Sequence, residues 1–185
     1  VRRTRFTDWP CSIARVVDLL GDWWTPLVLR ECFYGVRRFD DFQRRLGIGR
    51  NILTERLKRL VAEGLLTKVR YEERPPRYEY RLTDSGRAFF DVLMAMKAWG
   101  DAHLVGDEGV PQVLVDARTH QPVEPIVVDA RTGDRLDPRD LYLLPGPGYP
   151  RDQLDRAGRG EEIVPAPPPF RMTNGSGYGS AAGSG

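Results

Sequence analysis

Through the N-terminal half of the chain, apolar positions recur at helical spacing. Cys11 to Leu20 places Ile13, Val16, Val17 and Leu20 on one side, and Gly21-Asp22 breaks the run. Trp24 to Phe33 carries Leu27, Val28 and Leu29 and tolerates Pro26 in its first turn, before Gly35 ends it. Phe39 to Leu46 predicts a third helix, opened by Asp40 and Asp41 at the positive end of its dipole. A fourth, from Arg50 to about Glu63, sets Leu53, Leu57, Leu60 and Val61 on one face. Asn51, Thr54, Glu55 and Lys58 point the other way. Gly47 and Gly49 supply the turn before it, Gly49 as an acceptable N-cap, and Gly64 closes it at the left-handed position.

The period then changes. Leu65 to Tyr71 and Arg77 to Leu82 predict two strands, the second alternating Tyr78, Tyr80 and Leu82 with Arg77, Glu79 and Arg81. Between them, Glu72-Glu73-Arg74-Pro75-Pro76 predicts a stiff hairpin tip. A helix, a tight turn, a polar-faced helix and a hairpin are the parts of a winged helix-turn-helix. In such a unit the second helix enters the DNA major groove, leading with its N-terminal residues. Thr83 caps a predicted long helix running to about Leu104 through Phe89, Phe90, Leu93, Met96 and Trp99. That stripe serves the core alone, or the core and a dimer interface together.

Charge sharpens this picture. The chain carries a formal +2, with 28 Lys+Arg and 26 Asp+Glu, unevenly distributed. Residues 1 to 105 hold 20 basic against 14 acidic side chains, and the remainder 8 against 12. Val36 to Leu82 alone holds 13 against 7, which suggests a polyanionic partner for that half. No apolar run approaches a membrane span, and no hydrophobic stretch follows Arg2, Arg3 and Arg5 to make a signal peptide. The first residue is Val, so the chain is either truncated or uses an alternative start. Two cysteines, Cys11 and Cys32, are too few for a disulfide framework, and a cytoplasmic setting is expected.

Several spaced motifs together resemble the HxlR-type winged helix-turn-helix regulators. They are Cys11-Ser12-Ile13, Gly21-Asp22-Trp23-Trp24, Leu29-Arg30, Gly35-Val36-Arg37-Arg38-Phe39, Leu53-Thr54-Glu55-Arg56-Leu57, Glu63-Gly64-Leu65, Pro76-Arg77-Tyr78-Glu79-Tyr80 and Leu82-Thr83-Asp84-Ser85-Gly86. The resemblance covers about residues 9 to 104. It implies a homodimeric bacterial DNA-binding protein that represses or activates nearby genes, its dimer built from the first and last helices. Gly49 departs from the serine-like cap usual in that family.

The expected DNA-contacting residues are Arg50, Asn51, Thr54 and Lys58 on the fourth helix, with Arg74 and Arg77 on the wing. Arg50 can fork onto guanine, Asn51 can read adenine, and Thr54 can meet a thymine methyl or a phosphate. Lys58 suits a phosphate, and Arg74 and Arg77 suit a phosphate or the minor groove. The bland alternative is a solvated helix face. Arg56, nearer the buried face, suits a structural ion pair. Cys11 precedes the first helix, where backbone amides favour a thiolate, and Arg15 lies one turn on. Some relatives in the family it resembles use such a cysteine as an oxidant sensor. The alternative is a buried structural thiol. Cys32, among apolar neighbours, suits an inert role. His103 and His120 are isolated, and no metal-binding, nucleophile or phosphate-loop motif is present, so neither cofactor nor metal nor enzymatic activity is expected.

Beyond the winged helix, residues 113 to 138 repeat with a period of thirteen. Val113-Leu114-Val115-Asp116-Ala117-Arg118-Thr119 matches Ile126-Val127-Val128-Asp129-Ala130-Arg131-Thr132, and Val123-Glu124-Pro125 matches Leu136-Asp137-Pro138. Each unit predicts a strand, a polar turn and a return strand, unless the repeat is coincidental. The pair resembles a zinc ribbon in which Asp116/Thr119 and Asp129/Thr132 stand where each turn would carry Cys-x-x-Cys. Asp and Thr cannot replace four thiolates around zinc. The expectation is a degenerate, metal-free ribbon held by turn hydrogen bonds. Of the last 41 residues, 7 are proline and 9 glycine, which predicts disorder.

The expected fold class is mainly α with a small β wing (α+β). The winged helix-turn-helix spans 9 to 104, a small β-hairpin module 110 to 144, and a disordered tail 145 to 185. The expected function is a dimeric, sequence-specific regulator acting on a double-stranded DNA operator. The alternative is a winged-helix protein-interaction module without DNA binding.

Overall fold

In the computed structural model, Phe6, residues 9–141 and residues 146–151 are described. Most of the predicted proline- and glycine-rich tail lies outside them. The chain divides into two compact units, Val1–Ile126 and Val127–Gly185, with the boundary one residue into the second repeat. The first unit runs α1 (Ser12–Leu20), α2 (Trp24–Phe33), α3 (Phe39–Leu46), α4 (Arg50–Ala62), β1 (Leu66–Glu72), β2 (Arg77–Leu82), α5 (Asp84–Ala88) and α6 (Phe90–His103). This is a winged helix: mainly α, with a small antiparallel wing.

The helix ends follow local chemistry. Gly21, Gly47 and Gly64 take φ of 68°, 62° and 74°, the left-handed geometry that stops a helix cleanly. At the end of α4, Leu65 N–H donates to the Leu60 carbonyl at 2.9 Å and Gly64 N–H to Val61 at 3.1 Å. The chain thereby turns straight into β1, with Leu60 and Leu65 both in the core. The Asp22 carboxylate accepts from the Trp24 and Thr25 amides at 2.7 and 3.1 Å, capping α2. Its other oxygen meets Arg56 of α4 at 2.5 Å. Arg56 therefore holds the structural ion pair expected of it.

The core gathers Val28 and Leu29 from α2, Phe42 from α3, Ile48 from the turn, and Leu53, Leu57 and Leu60 from α4. Each such fully buried side chain stabilises the fold by about 1.5–3 kcal/mol. α4 thus sits with one face locked inward, which fixes the orientation of the other. β1 and β2 pair antiparallel from Leu66↔Leu82 to Arg70↔Tyr78, with an irregularity at the tip between Arg70 and Glu72. Ahead of α3, Arg38 bridges to Glu79, and Tyr80 N–H donates to the Arg37 carbonyl at 2.8 Å, tying the wing to the start of α3.

The predicted single helix from Thr83 to Leu104 is divided. Thr83 does cap it, its hydroxyl accepting from Gly86 N–H at 3.0 Å. The helix breaks at Phe89, whose N–H donates three residues back to Gly86 and whose ring is buried against the core. Docking Gly86 on β1 and burying Phe89 together redirect the chain. Of the predicted stripe, Leu93 packs against the core while Met96 and Trp99 stay exposed. On α1, Ile13 and Val17 are exposed as well, 72% and 51%.

Glu31 is the most deeply buried acid described, 2% exposed. Arg30 and Arg45 hold it at 2.7 and 2.5 Å, joining α2 to α3. Burial alone would raise its pKa, but the hydrogen bonds from Arg45 and Arg30 outweigh burial and keep the carboxyl below its ordinary value. A carboxyl lowered on folding contributes stability that is full above its unfolded pKa and is lost as pH falls through the folded one. Glu31→Gln should therefore flatten the acid side of the stability–pH curve, measured by urea unfolding. An unchanged acid limb would place the acid sensitivity elsewhere.

In the C-terminal part of the first unit, one repeat forms a hairpin turn. Asp116 accepts from the Arg118 and Thr119 amides at 2.8 and 2.9 Å, and Thr119 Oγ1 accepts from Gln121 N–H. Val123 N–H donates to the Leu114 carbonyl at 2.8 Å to close it. The second unit repeats the geometry: Asp129 accepts from Arg131 N–H at 2.8 Å, Thr132 from Asp134 N–H, and Leu136 N–H donates to Val127. Equivalent positions, His120 and Gly133, both have positive φ, 57° and 79°. The thirteen-residue period is thus one turn geometry built twice, with the aspartate and threonine bonding as the sequence predicts. Asp129→Ala removes the acceptor. Hydrogen exchange at the Arg131 and Thr132 amides should then quicken while the amides of α4 keep their rates.

Candidate nucleic-acid interface

The inward face of α4 decides which of its cations are available. Arg56 and Arg59 turn toward the body of the domain, with side chains 23% and 17% exposed. Arg56 is spent on Asp22, and Arg59 donates to the Asp18 carbonyl and lies 3.6 Å from its carboxylate. Arg50, Asn51 and Lys58 are exposed on the opposite side, with Thr54 half-buried between them. Thr54 Oγ1 donates to the Arg50 carbonyl at 2.8 Å, so its methyl is what remains to meet a base. Lys58 is loosely paired with Glu55 at 3.4 Å, both well exposed. Such a pair contributes little and yields readily to a phosphate.

Arg50, at the first turn of α4, stands over the Phe39 ring at 5.1 Å. It lines a cleft of about 570 Å³ between the start of α3, the start of α4 and the wing. Arg77 lines the same cleft from β2, held by Glu72 at 3.2 Å. Two predicted residues distant in sequence are therefore brought together. Arg74 is exposed at the wing tip, away from this lining. Arg70 stiffens that tip by donating to the Glu72 and Glu73 carbonyls at 3.3 and 2.9 Å.

The cleft also contains cations that the sequence pattern does not single out. Arg38 stacks over Tyr71 at 4.7 Å and Lys68 over Tyr78 at 4.0 Å. The signal for them was the Arg37-Arg38 doublet before α3 and the basic surplus of the whole stretch, which gives no facing. Asp40 and Asp41 line the cleft too, Asp41 partly neutralised by Arg44 at 2.5 Å. The net result is four cations over aromatic rings or a glutamate, at the mouth of a helix whose N-terminus points outward. Guanidinium and ammonium groups held this way can exchange their partners for phosphate oxygens at small cost.

Cys11 is exposed in the single chain, not buried as the structural-thiol alternative required. It is the N-cap of α1, and its Sγ accepts from Ala14 N–H at 3.5 Å. Cys32 is different. Burial, reinforced by the charge of Glu31, pushes its thiol up to about 12, which leaves it inert. Among the described residues, no three His, Cys, Asp or Glu side chains converge as a metal site, and no helix is long and apolar enough to cross a membrane.

A three-helix body, an outward helix after a tight turn, and a basic wing define the winged helix-turn-helix class of DNA-binding transcriptional regulators. Residues 19–108 match the HxlR-like helix-turn-helix family, and the chain belongs to it. It is 40% identical over 138 residues to the uncharacterized HTH-type transcriptional regulator Rv3095 of Mycobacterium tuberculosis (strain ATCC 25618 / H37Rv), covering 75% of this chain and 87% of that protein. The crystal structure of PA1607, a proposed transcription factor, matches with a TM-score of 0.70 and 37% identity, over 76% of this chain and 99% of that one. PA1374 from Pseudomonas aeruginosa, another proposed transcription factor, matches with a TM-score of 0.57 and 37% identity, over 79% and 99%. Because the match to Rv3095 is longer than residues 19–108, the likeness continues outside the family model.

Proposed function

We propose that the protein is a dimeric, sequence-specific transcriptional regulator that reads DNA with α4 and steadies it with the wing. The observation that carries this is the division of labour on α4. Its inner arginines are tied to Asp22 and Asp18, while Arg50, Asn51 and Lys58 are left outward beside a basic cleft shared with Arg77. Arg50, Asn51 and Thr54 meet base edges in the major groove, and Lys58, Arg74 and Arg77 meet the backbone or the minor groove. Two copies of α4, about one helical turn apart, fit a pseudo-palindromic operator. The exposed apolar faces of α1 (Ile13, Val17) and α6 (Met96, Trp99) supply the dimer contact. The protein works in the cytoplasm, on its operator, and has no catalytic role.

The arrangement we favour is a DNA-binding and dimerisation domain over residues 9–104, a metal-free ribbon over 110–144, and a tail. Turn hydrogen bonds at Asp116 and Asp129 support the ribbon without metal. Stoichiometric zinc in the purified full chain would overturn it.

The test of function is a mobility shift at two salt concentrations, with the upstream region of the protein's own gene against a scrambled control. Tight, selective and strongly salt-dependent binding is expected. No binding at low salt would leave the protein-interaction alternative. Adding a mild oxidant tests Cys11 in the same assay. Binding lost on oxidation and retained in Cys11→Ser assigns it a sensing role, and indifference to oxidant removes that role.

A further inference from the structure

In the first unit, α2, α6 and residues 111–114 line an open cavity of about 760 Å³. That size falls within the ordinary range of small-molecule sites. Its lining is mostly apolar: Leu27 and Phe33 from α2, Phe90, Leu93 and Met94 from α6, and Leu114 from the crossing segment. The Phe33 and Phe90 rings stand 5.3 Å apart in one wall. The segment that crosses it is pinned from both sides. Tyr34 Oη donates to Gln112 Oε1 at 3.1 Å, and Lys97 Nζ donates to the Gln112 carbonyl at 2.7 Å. The wall is thus held in place by polar bonds, over a lining that is mostly apolar.

Charge enters that lining at Arg30, and at Lys97 and Asp101, which pair with each other at 2.5 Å. Arg30 lines the cavity, and its Nε is shielded from solvent yet has no hydrogen-bond acceptor. A buried donor without an acceptor is costly, about 1–3 kcal/mol, and a ligand oxygen would remove the deficit. The same side chain reaches the DNA-facing machinery. Its Nη2 holds Glu31, and Glu31 holds Arg45 of α3, the helix packed against α4.

We propose that this cavity is an effector site for a small, apolar, ring-containing molecule bearing one anionic or carbonyl oxygen, which Arg30 receives. The binding stands on the cavity itself, and the effector role rests on the regulator function proposed above. A second copy of the chain is the competing occupant. A ligand oxygen on Arg30 shares a guanidinium with Glu31, so occupancy shifts the Arg30–Glu31–Arg45 link and with it the seating of α3.

The probe is 1-anilinonaphthalene-8-sulfonate, which combines fused rings with one anionic group, titrated by fluorescence into the full chain without DNA. Saturable binding at one site per chain is expected, weakened about tenfold by Arg30→Gln, the loss of one charge-assisted bond. Met94→Trp, which fills the cavity, should abolish it. Val113→Glu, at an exposed position on the crossing segment, should weaken it with little change in stability, and thermal unfolding checks all three. Dye binding that is indifferent to these variants overturns the site. So does a change of oligomeric state in Met94→Trp, which assigns the cavity to a second copy. In the mobility shift, saturating dye should alter DNA affinity by at least about fivefold. Dye bound with DNA affinity unchanged overturns the effector role. Because the titration needs no DNA, failure to bind any operator would refute the regulator function and leave the cavity result standing.

Discussion

Gly86→Ala is expected to destabilise the domain by about 3 kcal/mol or more, at the upper end of what one added methyl costs in a packed core. A Cβ at this position would lie 2.0 Å from the Leu65 carbonyl oxygen and 3.0 Å from its carbon. Both are backbone atoms, which cannot swing aside as a side chain can. That carbonyl is already engaged, accepting from Thr83 N–H at 3.0 Å and from Thr83 Oγ1 at 3.2 Å. Retreat of either segment therefore breaks the bonds joining the end of β2 to the start of β1, and with them the cap of α5. For a domain of this size the midpoint of thermal unfolding should fall by roughly 12 °C or more. Gly100→Ala in α6 is the control. Nothing lies within 4 Å of a Cβ there, and a helical alanine should be neutral or gain roughly 0.5–1 kcal/mol. A Gly86→Ala protein that melts with the wild type would mean that β1 and α5 do not touch as described.

Why Gly86 was invisible in the sequence shows where reading by pattern stops. The apolar period located four helices to within a residue or so, and glycines at 47 and 64 marked turns because a positive φ is a local property. Gly86 sits at ordinary helical φ. Its necessity comes from β1 arriving against it, a contact between residues about twenty apart. The break at Phe89 has the same origin. A stripe through Phe89, Phe90, Leu93, Met96 and Trp99 fits one continuous helix, and only the burial of Phe89 beside Gly86 divides it. The wing showed the opposite balance. Alternation gave the bounds of β2, yet the pairing of Arg38 with Tyr71 and Lys68 with Tyr78 depends on strand register and on how α3 meets the sheet. The basic count told that this stretch is positive, not which cations share a cleft. The turns of the thirteen-residue repeat were legible down to their hydrogen bonds, because an aspartate capping its own turn involves only three residues, whereas the strands expected on either side reduce to one isolated bridge per turn, Val115↔Pro122 and Val128↔Arg135. The cavity between α2 and α6 has no sequence signature at all; it needs residues 111–114 to fold back over both helices.

Arg50→Ala should weaken operator binding by about thirtyfold or more, with fold stability nearly unchanged. A bidentate arginine–guanine contact discriminates by about 1–3 kcal/mol, and a dimer loses it twice. The structural cost is small because Arg50 is exposed and its described partner is the Phe39 ring, a contact of about 0.5–1 kcal/mol. Arg50→Lys should recover little, since an ammonium cannot present the planar fork. Arg56→Ala makes the converse prediction from the same helix. Its guanidinium is mostly covered and tied to Asp22, the residue that caps α2, so its loss should cost stability, about 1–3 kcal/mol, and leave the intrinsic DNA contacts in place. Lys58→Ala separates a third role. As a phosphate contact it should weaken binding evenly across operator sequences and reduce the salt dependence by about one counterion per copy. Mobility shifts with each variant at two salt concentrations, alongside urea unfolding, distinguish the three. If Arg50→Ala and Arg56→Ala lower DNA affinity only in proportion to lost stability, α4 is a packing helix and the base-reading role assigned to it is wrong. If Arg50→Ala alone lowers affinity while its unfolding curve overlays the wild type, the outward face of α4 reads DNA as proposed.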